Sequence, residues 1–174
     1  LQMLHQRHLL FCYLHLAANQ ELAARLQNIG LTAIAFETVE SHGRLPLLAP
    51  MSDIAGRIAV QVGAHLLHQP AGGRGILLGG LPATPRGQVV VIGAGVAGGN
   101  AALMAASMGA QVTVFDRQRD KLSAARALGA NVTALYPYQD AIEAAVSGAD
   151  LLVGAVLIPG ARSPHIVSRD MVKS

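Results

Sequence analysis

Apolar residues in this chain recur with two periods, one typical of buried strands and one typical of helices. In the second half, short apolar runs predict strands at Gln88–Ile92, Gln111–Asp116, Asn131–Leu135 and Leu151–Gly154. The segments between them predict helices over residues 96–108, 119–128 and 139–146. Strands that alternate with helices predict a parallel sheet, and right-handed crossovers give the strand order 3-2-1-4.

The first 40 residues predict a smaller β-α-β piece. Apolar runs at 9–14 and 31–36 predict the two strands. Residues 19–28 predict the helix between them, and Gly30 is a typical helix stop.

A long helix and a loop-rich segment follow this piece. Ser52 is a good N-cap for a helix. The apolar positions that predict its buried face are Ala55, Ile58, Ala59, Val62 and Leu66. Glycine and proline between residues 72 and 85 predict a flexible, exposed connection.

These patterns predict an α/β fold: a Rossmann-type doubly wound parallel sheet plus part of a second α/β (substrate) domain. We expect residues 1–50 to form the partial substrate or catalytic domain and residues 51–87 to form the linking helix and connection. Residues 88–174 form the predicted nucleotide-binding domain. We also expect the natural protein to extend beyond both ends, because the chain begins with Leu1 and ends soon after a helix pattern opens at Ser168.

Composition narrows the class of protein. The net charge is +3, from 13 basic and 10 acidic residues, and no Lys/Arg run suggests a nucleic-acid partner. The single cysteine, Cys12, excludes a disulfide within the chain. Residues 88–115 carry no charge, but their glycines and their changing period favour a buried βαβ unit over a membrane span. We therefore expect a cytoplasmic protein with no membrane partner.

A G-x-G-x-x-G motif lies between the first strand and the first helix of the predicted nucleotide-binding domain. Gly93 permits a tight turn, Gly95 lets a pyrophosphate approach the backbone, and Gly98 lets the helix pack closely on the sheet. The free N–H groups at the start of the helix then face the phosphates. The alternative is a glycine-rich turn without a ligand.

Asp116 ends the second strand, 18 residues after Gly98. An acid there accepts hydrogen bonds from the adenosine ribose and repels a 2′-phosphate, which favours NAD over NADP. Arg117 and Arg119 argue mildly for NADP, but they lie beyond the strand-end position. Val156 and Leu157 fall just past the fourth strand, where a nicotinamide ribose would lie.

No metal site is predicted. His5 and His8, and His65 and His68, are each three residues apart, but no acidic or cysteine partner has a suitable spacing.

The motifs together resemble the alanine dehydrogenase family, with the NAD-binding subunit of proton-translocating transhydrogenase as a cousin. The matching blocks are L-H-L-A-A at 14–18, A-I-A-F-E-T-V at 33–39, L-P-L-L-A-P-M-S at 45–52, G-G-R-G at 72–75, the glycine motif at 91–98 and G-A-V-L-I-P-G-A at 154–161. The uninterrupted L-P-L-L-A-P-M-S block and the G-G-R-G block look more like the dehydrogenase.

The resemblance implies NAD-dependent oxidative deamination of L-alanine to pyruvate and ammonia, by a homo-oligomer that is hexameric in the family. It makes His15 the active-site histidine, which binds the substrate and exchanges a proton. It implies further cofactor contacts at Ser52, Val96, Ala97, Lys121, Val156 and Leu157. Ser52 is equally natural as a plain N-cap, and Lys121 as a solvated helix residue.

The chain also departs from the family pattern. It contains neither the K-x-K-E-P stretch that binds substrate nor the V-D-x-A-x-D-Q-G-G stretch that carries a catalytic aspartate. We therefore expect these 174 residues alone not to turn over alanine. Two other functions stay open, namely a transhydrogenase subunit and a non-catalytic NAD-binding module.

Overall fold

A computed structural model describes residues 1–158 and 163–173 of the chain. These residues divide into two compact units. The first unit comprises Leu1–Met51 and the described residues of Ile158–Pro164, and the second comprises Ser52–Leu157 and the described residues of His165–Ser174. The last part of the G-A-V-L-I-P-G-A block, residues 159–161, lies outside the described residues.

The first unit contains the predicted β-α-β piece. Strands β1 (Leu9–Cys12) and β2 (Thr32–Ala35) pair in parallel, and helix α1 (Gln20–Ile29) connects them. The Asn19 side chain caps the start of α1 by accepting a hydrogen bond from the Leu22 N–H at 3.0 Å. Gly30 ends α1 in the left-handed conformation, at φ 73°. These elements confirm the prediction, although both strands are shorter than expected.

Helix α2 (Ala49–Leu66) begins four residues earlier than predicted from a cap at Ser52. Ser52 is therefore not the N-cap and lies within the first helical turn, so that prediction was wrong. Pro50 explains the early start, because proline lacks an N–H and is favoured in a first turn.

The buried face of α2 also differs from the prediction. Ile58 and Val62 are 50% exposed and Leu66 is 55% exposed. The buried positions are instead mostly small: Gly56, Val60, Gly63 and Ala64. Small residues let the helix backbone approach its neighbours closely, and a Cβ on Gly63 would lie 2.5 Å from Leu151 Cδ1. The spacing of apolar residues alone does not show which of these two sets of positions faces the core.

Most of the segment after α2 is exposed, as its composition predicted, but part of it is anchored in the core. Leu78 is only 2% exposed and belongs to the main core, and Ile76 packs against that core. The Gly87 N–H donates to the Leu78 carbonyl at 3.0 Å. The segment is thus fixed by packing and by backbone hydrogen bonds.

The second unit is built on a four-stranded parallel sheet. Its strands, in chain order, are β3 (Gln88–Ile92), β4 (Gln111–Phe115), β5 (Val132–Leu135) and β6 (Leu151–Gly154). They lie in the order β5-β4-β3-β6, which confirms the predicted 3-2-1-4 order. The helices of this unit that follow its strands are α3 (Val96–Ser107), α4 (Arg119–Arg126), α5 (Gln139–Ser147) and α6 (Arg169–Lys173).

Both faces of this sheet are covered. Val89 and Val91 of β3 pack into one apolar cluster, whereas Val90 and Ile92 pack into another. Successive strand residues point to opposite faces, so two clusters mean two buried faces. The fold is therefore the expected Rossmann-type doubly wound α/β sheet. Within the described residues, no helix has the length and apolarity needed to cross a membrane.

Candidate functional site

The turn between β3 and α3 requires glycine at its first position. Gly93 has φ 98°, a backbone conformation that residues other than glycine rarely adopt. Its N–H donates to the Phe115 carbonyl of β4 at 2.7 Å. A Cβ on Gly93 would lie 2.6 Å from the Ala155 carbonyl oxygen, just past β6. The turn is thus held between the ends of two neighbouring strands.

The other two motif glycines differ in what surrounds them. A Cβ on Gly98 would lie 1.7 Å from the Gly93 carbonyl oxygen, so only glycine lets α3 approach the turn this closely. A Cβ on Gly95 would meet no atom within 4 Å. Gly98 is therefore needed for packing within the protein, whereas Gly95 leaves open space in front of the backbone.

Backbone donors at the start of α3 border that open space. Gly95 is the N-cap, and the Gly99 N–H donates to the Gly95 carbonyl at 2.7 Å. The first N–H groups of a helix have no partner within it. The N–H groups of Val96 and Ala97 donate to no backbone or side-chain acceptor among the described residues. They are available to an anion, which the helix dipole also favours.

Asp116 lies directly after β4, beside the glycine turn. One carboxylate oxygen accepts the Ala94 N–H at 2.7 Å, and the other accepts the Gln118 N–H at 2.8 Å. An ionised carboxylate has about four lone-pair positions, so two remain for other donors. The carboxylate is thus fixed by the glycine turn and can still accept hydrogen bonds from a ligand.

Lys121 lies in α4 and lines a groove of about 260 Å³ together with Ala94 of the glycine turn. The groove runs between α3 and α4 and is otherwise mostly apolar. Arg117 and Arg119 are exposed beyond the strand end. Lys121 is therefore the basic side chain that the structure places in a groove shared with the turn.

Val156 and Leu157, which lie shortly after β6, have different surroundings. Val156 is half-buried and packs against the second core cluster. Its side chain lies 3.1 Å from the position that a Cβ on Gly93 would occupy. Leu157 is 60% exposed. Val156 therefore lies beside the glycine turn, as expected for neighbouring strand ends.

Ser52 lies in the first turn of α2, four residues before Gly56. A Cβ on Gly56 would lie 2.1 Å from the Ala97 carbonyl oxygen of α3. The two helices therefore make close backbone contact near their first turns, and Ser52 is one turn from that contact.

His15 lies in the first unit, shortly after β1, and has a left-handed backbone with φ 50°. Its N–H donates to one oxygen of Glu37 at 2.5 Å, and the Leu14 N–H donates to the other at 3.3 Å. The ring of Tyr13 stacks on the imidazole at 6.3 Å between centroids. Left-handed backbone is uncommon for histidine, and the Glu37 carboxylate holds it there.

The Glu37 carboxyl has a lowered pKa. Burial raises this pKa, but the opposing contributions are larger together: hydrogen bonds from the N–H groups of Glu37, His15 and Leu14, and the charge of His15. Glu37 is thus held ionised beside His15. No role was expected for Glu37, although it lies two residues after β2 and could have been found as an acid near a strand end.

Among the described residues, no group of three or more His, Cys, Asp or Glu side chains could hold a metal ion. His5 and His8 contact each other, as do His65 and His68.

Comparisons with known proteins agree with this fold. Residues 59–174 match the family model described as "Alanine dehydrogenase/PNT, C-terminal domain", and residues 1–55 match the corresponding N-terminal domain. The chain belongs to the alanine dehydrogenase/PNT family. It is 52% identical over 165 residues to an alanine dehydrogenase of Bacillus subtilis. The match covers 94% of this chain and 44% of that protein.

Other members of the family give the same result. An alanine dehydrogenase of Mycobacterium tuberculosis strain H37Rv is 50% identical over 169 residues, covering 94% of this chain and 45% of that protein. A solved structure of an L-alanine dehydrogenase has a TM-score of 0.85 and 51% identity, and the match covers 99% of this chain and 48% of that one. The chain spans less than half the length of these relatives.

A transhydrogenase from Sinorhizobium meliloti has the same fold. Its structure has a TM-score of 0.78 and 23% identity, covering 97% of this chain and 49% of that one. At this identity the likeness shows the fold alone.

Proposed function

We propose that the second unit binds NAD(H), and that the protein carrying this chain is an NAD-dependent alanine dehydrogenase. The observation that carries the first part is the position of Asp116. Its carboxylate is bonded to the Ala94 N–H of the glycine turn, next to the open N-terminus of α3. A diphosphate on the Val96 and Ala97 N–H groups would leave the adjoining ribose within reach of that carboxylate.

Asp116 also supports NAD over NADP. A 2′-phosphate about 4 Å from the carboxylate would be repelled by roughly 4 kcal/mol at an effective dielectric of 20. The groove with Lys121 is the feature that could oppose this repulsion. We propose that the repulsion dominates, because both oxygens of Asp116 are fixed by backbone donors beside the ribose position.

The alanine dehydrogenase activity is proposed from the family and from His15. In this reaction L-alanine gives a hydride to NAD⁺, and the resulting imine takes up water and releases ammonia as pyruvate forms. The protons of the amine and of the water need an acceptor near neutral pH, which suits an imidazole. The stack on Tyr13 and the backbone hydrogen bond to Glu37 hold His15 in one place, and its side chain is exposed to incoming substrate.

Glu37 and Tyr13 act through His15 in this proposal. The Tyr13 hydroxyl donates to the Leu47 carbonyl at 2.5 Å, so the ring on which His15 stacks is itself anchored. Glu37 stabilises the left-handed backbone of His15, and this backbone sets the direction in which the side chain leaves the chain. Both are positioning residues for the histidine.

The activity is tested by following NADH formation from L-alanine, with other L-amino acids as comparison. The assay uses the longest gene product that contains this chain. His15→Ala should lower turnover by about 100-fold or more, the contribution typical of an acid–base group, with little change in NADH affinity. His42→Ala is a matched control, because His42 is an exposed histidine of the same unit with φ 52°. Equal turnover in the two variants would contradict the role of His15.

Self-association and a cytoplasmic location remain predictions. Support for the first comes from a stripe of exposed apolar side chains along α2, formed by Ile54, Ile58, Val62 and Leu66. Sedimentation of the purified protein tests it, and a monomer at all concentrations would contradict it.

A further inference from the structure

The first turns of α2 and α3 are connected by a small polar network centred on Asn100. We propose that Asn100 is a positioning residue for cofactor binding, because it holds the first turn of α2, with Ser52, against the phosphate-binding turn of α3. This inference rests on the proposed binding of NAD(H). It concerns a residue for which neither the motif nor the resemblance implied a role.

The Asn100 side chain makes three hydrogen bonds. Its amide nitrogen donates to Asp53 Oδ1 at 2.8 Å and to the Val96 carbonyl at 2.9 Å. Its amide oxygen accepts from Arg57 Nε at 3.1 Å. A carboxylate only accepts and a guanidinium only donates, so these two partners fix which way the amide points.

These partners lie next to the proposed cofactor contacts. Asp53 directly follows Ser52, and Val96 is the first residue of α3. The network therefore joins the two places where the helices are proposed to contact the dinucleotide.

Close backbone packing supports the same connection. Gly56 lies one turn after Ser52, and a Cβ there would be 2.1 Å from the Ala97 carbonyl oxygen and 2.9 Å from Asn100 Cβ. Such an approach leaves little freedom for the two first turns to move apart. Asn100 supplies the directional hydrogen bonds, and Gly56 supplies the short distance.

The network does not serve mainly to fill the core. Asp53 and Arg57 are exposed and Asn100 is half-buried, so little apolar area depends on them. Asparagine is also a weak helix former, and α3 is otherwise rich in alanine. A polar residue at this position is better explained by what it holds in place than by helix stability.

Asn131 provides a matched control for the test. Its amide nitrogen also donates two hydrogen bonds, to the Ala106 and Ala110 carbonyls at 3.0 and 2.7 Å. Those carbonyls are near the other end of α3, away from the glycine turn. Removing either amide deletes comparable hydrogen bonds, but only Asn100 connects α2 to the phosphate-binding turn.

The experiment measures NADH affinity by fluorescence titration, and thermal unfolding, for the unaltered chain, Asn100→Ala and Asn131→Ala. We expect Asn100→Ala to raise the Kd for NADH by about tenfold, as expected for the loss of about 1.4 kcal/mol of binding free energy. We expect Asn131→Ala to lower the unfolding temperature and to leave the Kd within about twofold. Equal Kd values for Asn100→Ala and the unaltered chain would overturn the inference.

A second pair of variants tests the connection from α2. Asp53→Ala removes the acceptor of the Asn100 amide, whereas Asp53→Asn keeps an oxygen that can accept it. We expect Asp53→Ala to weaken NADH binding and Asp53→Asn to recover most of the loss. Equal affinities in these two variants would overturn the inference. Failure of the unaltered chain to bind NADH would instead overturn the proposed function itself.

Discussion

Gly98 and Gly99 are neighbours in α3, yet replacing each by alanine should change stability in opposite directions. In an exposed helix interior, alanine is favoured over glycine by about 1 kcal/mol. A Cβ on Gly99 would meet no atom within 4 Å, so Gly99→Ala should realise much of this gain. A Cβ on Gly98 would lie 1.7 Å from the Gly93 carbonyl oxygen and 3.2 Å from Ala155 Cβ.

The clash at Gly98 outweighs the gain in helix propensity. Ordinary van der Waals contacts begin near 3.4 Å, whereas this Cβ would lie 1.7 Å from the Gly93 carbonyl oxygen. Helix α3 and the Gly93 carbonyl would therefore have to move apart. Forcing extra atoms into a packed site costs about 1–3 kcal/mol. Gly98→Ala should therefore be less stable than Gly99→Ala by about 1–3 kcal/mol or more.

Thermal and denaturant unfolding of the two variants measures this difference. For a chain of this size, each kcal/mol corresponds to about 2–4 °C in Tm. We expect Gly99→Ala to unfold above the unaltered chain, and Gly98→Ala to unfold below Gly99→Ala by at least about 2 °C. If the two variants unfolded together, the close packing of α3 on the glycine turn would be refuted.

Three further predictions concern other parts of the two units. Gly95→Ala should leave the Tm nearly unchanged, because its Cβ meets open space, but should weaken NADH binding in a fluorescence titration. Gly56→Ala should lower both the Tm and NADH affinity, because its Cβ would meet the backbone of α3; an unchanged Tm would contradict the 2.1 Å approach to the Ala97 carbonyl. The lowered pKa of Glu37 means that its ionised form stabilises the first unit above pH 4.5, its ordinary pKa, and that this contribution is lost as the pH falls through the lowered value. Glu37→Gln should thus be less stable than the unaltered chain near neutral pH, and denaturant unfolding should show this difference shrinking below pH 4.5.

The sheet of the second unit could be predicted from the sequence because its signals are local and mutually consistent. Each strand is a short apolar run, and the glycine turn and Asp116 follow two of these runs at the expected positions. The crossover rule then leaves few possible strand orders. The carboxylate of Asp116 lies beside the glycine turn because adjacent parallel strands end at the same edge of the sheet.

The features that the sequence analysis missed depend on contacts between distant residues. The buried face of α2 is set by how closely Gly56 and Gly63 approach α3 and Leu151, and apolar spacing contains no such information. The sequence pattern gave Asn100 no role, because its partner Asp53 is 47 residues away in the chain. The Ser52 side chain is suited to an N-cap and predicts a helix start there, although Pro50 already favours an earlier one.

Calorimetric titration of the chain with NADH and with NADPH, before and after Asp116→Ala, tests the central claim most directly. The account predicts that the unaltered chain binds NADH at least about tenfold more tightly than NADPH, since like charges near the ribose are costly. It predicts that Asp116→Ala weakens NADH binding and narrows the difference between the two nucleotides. Equal affinity for NADH and NADPH in the unaltered chain, or no binding of either, would contradict it.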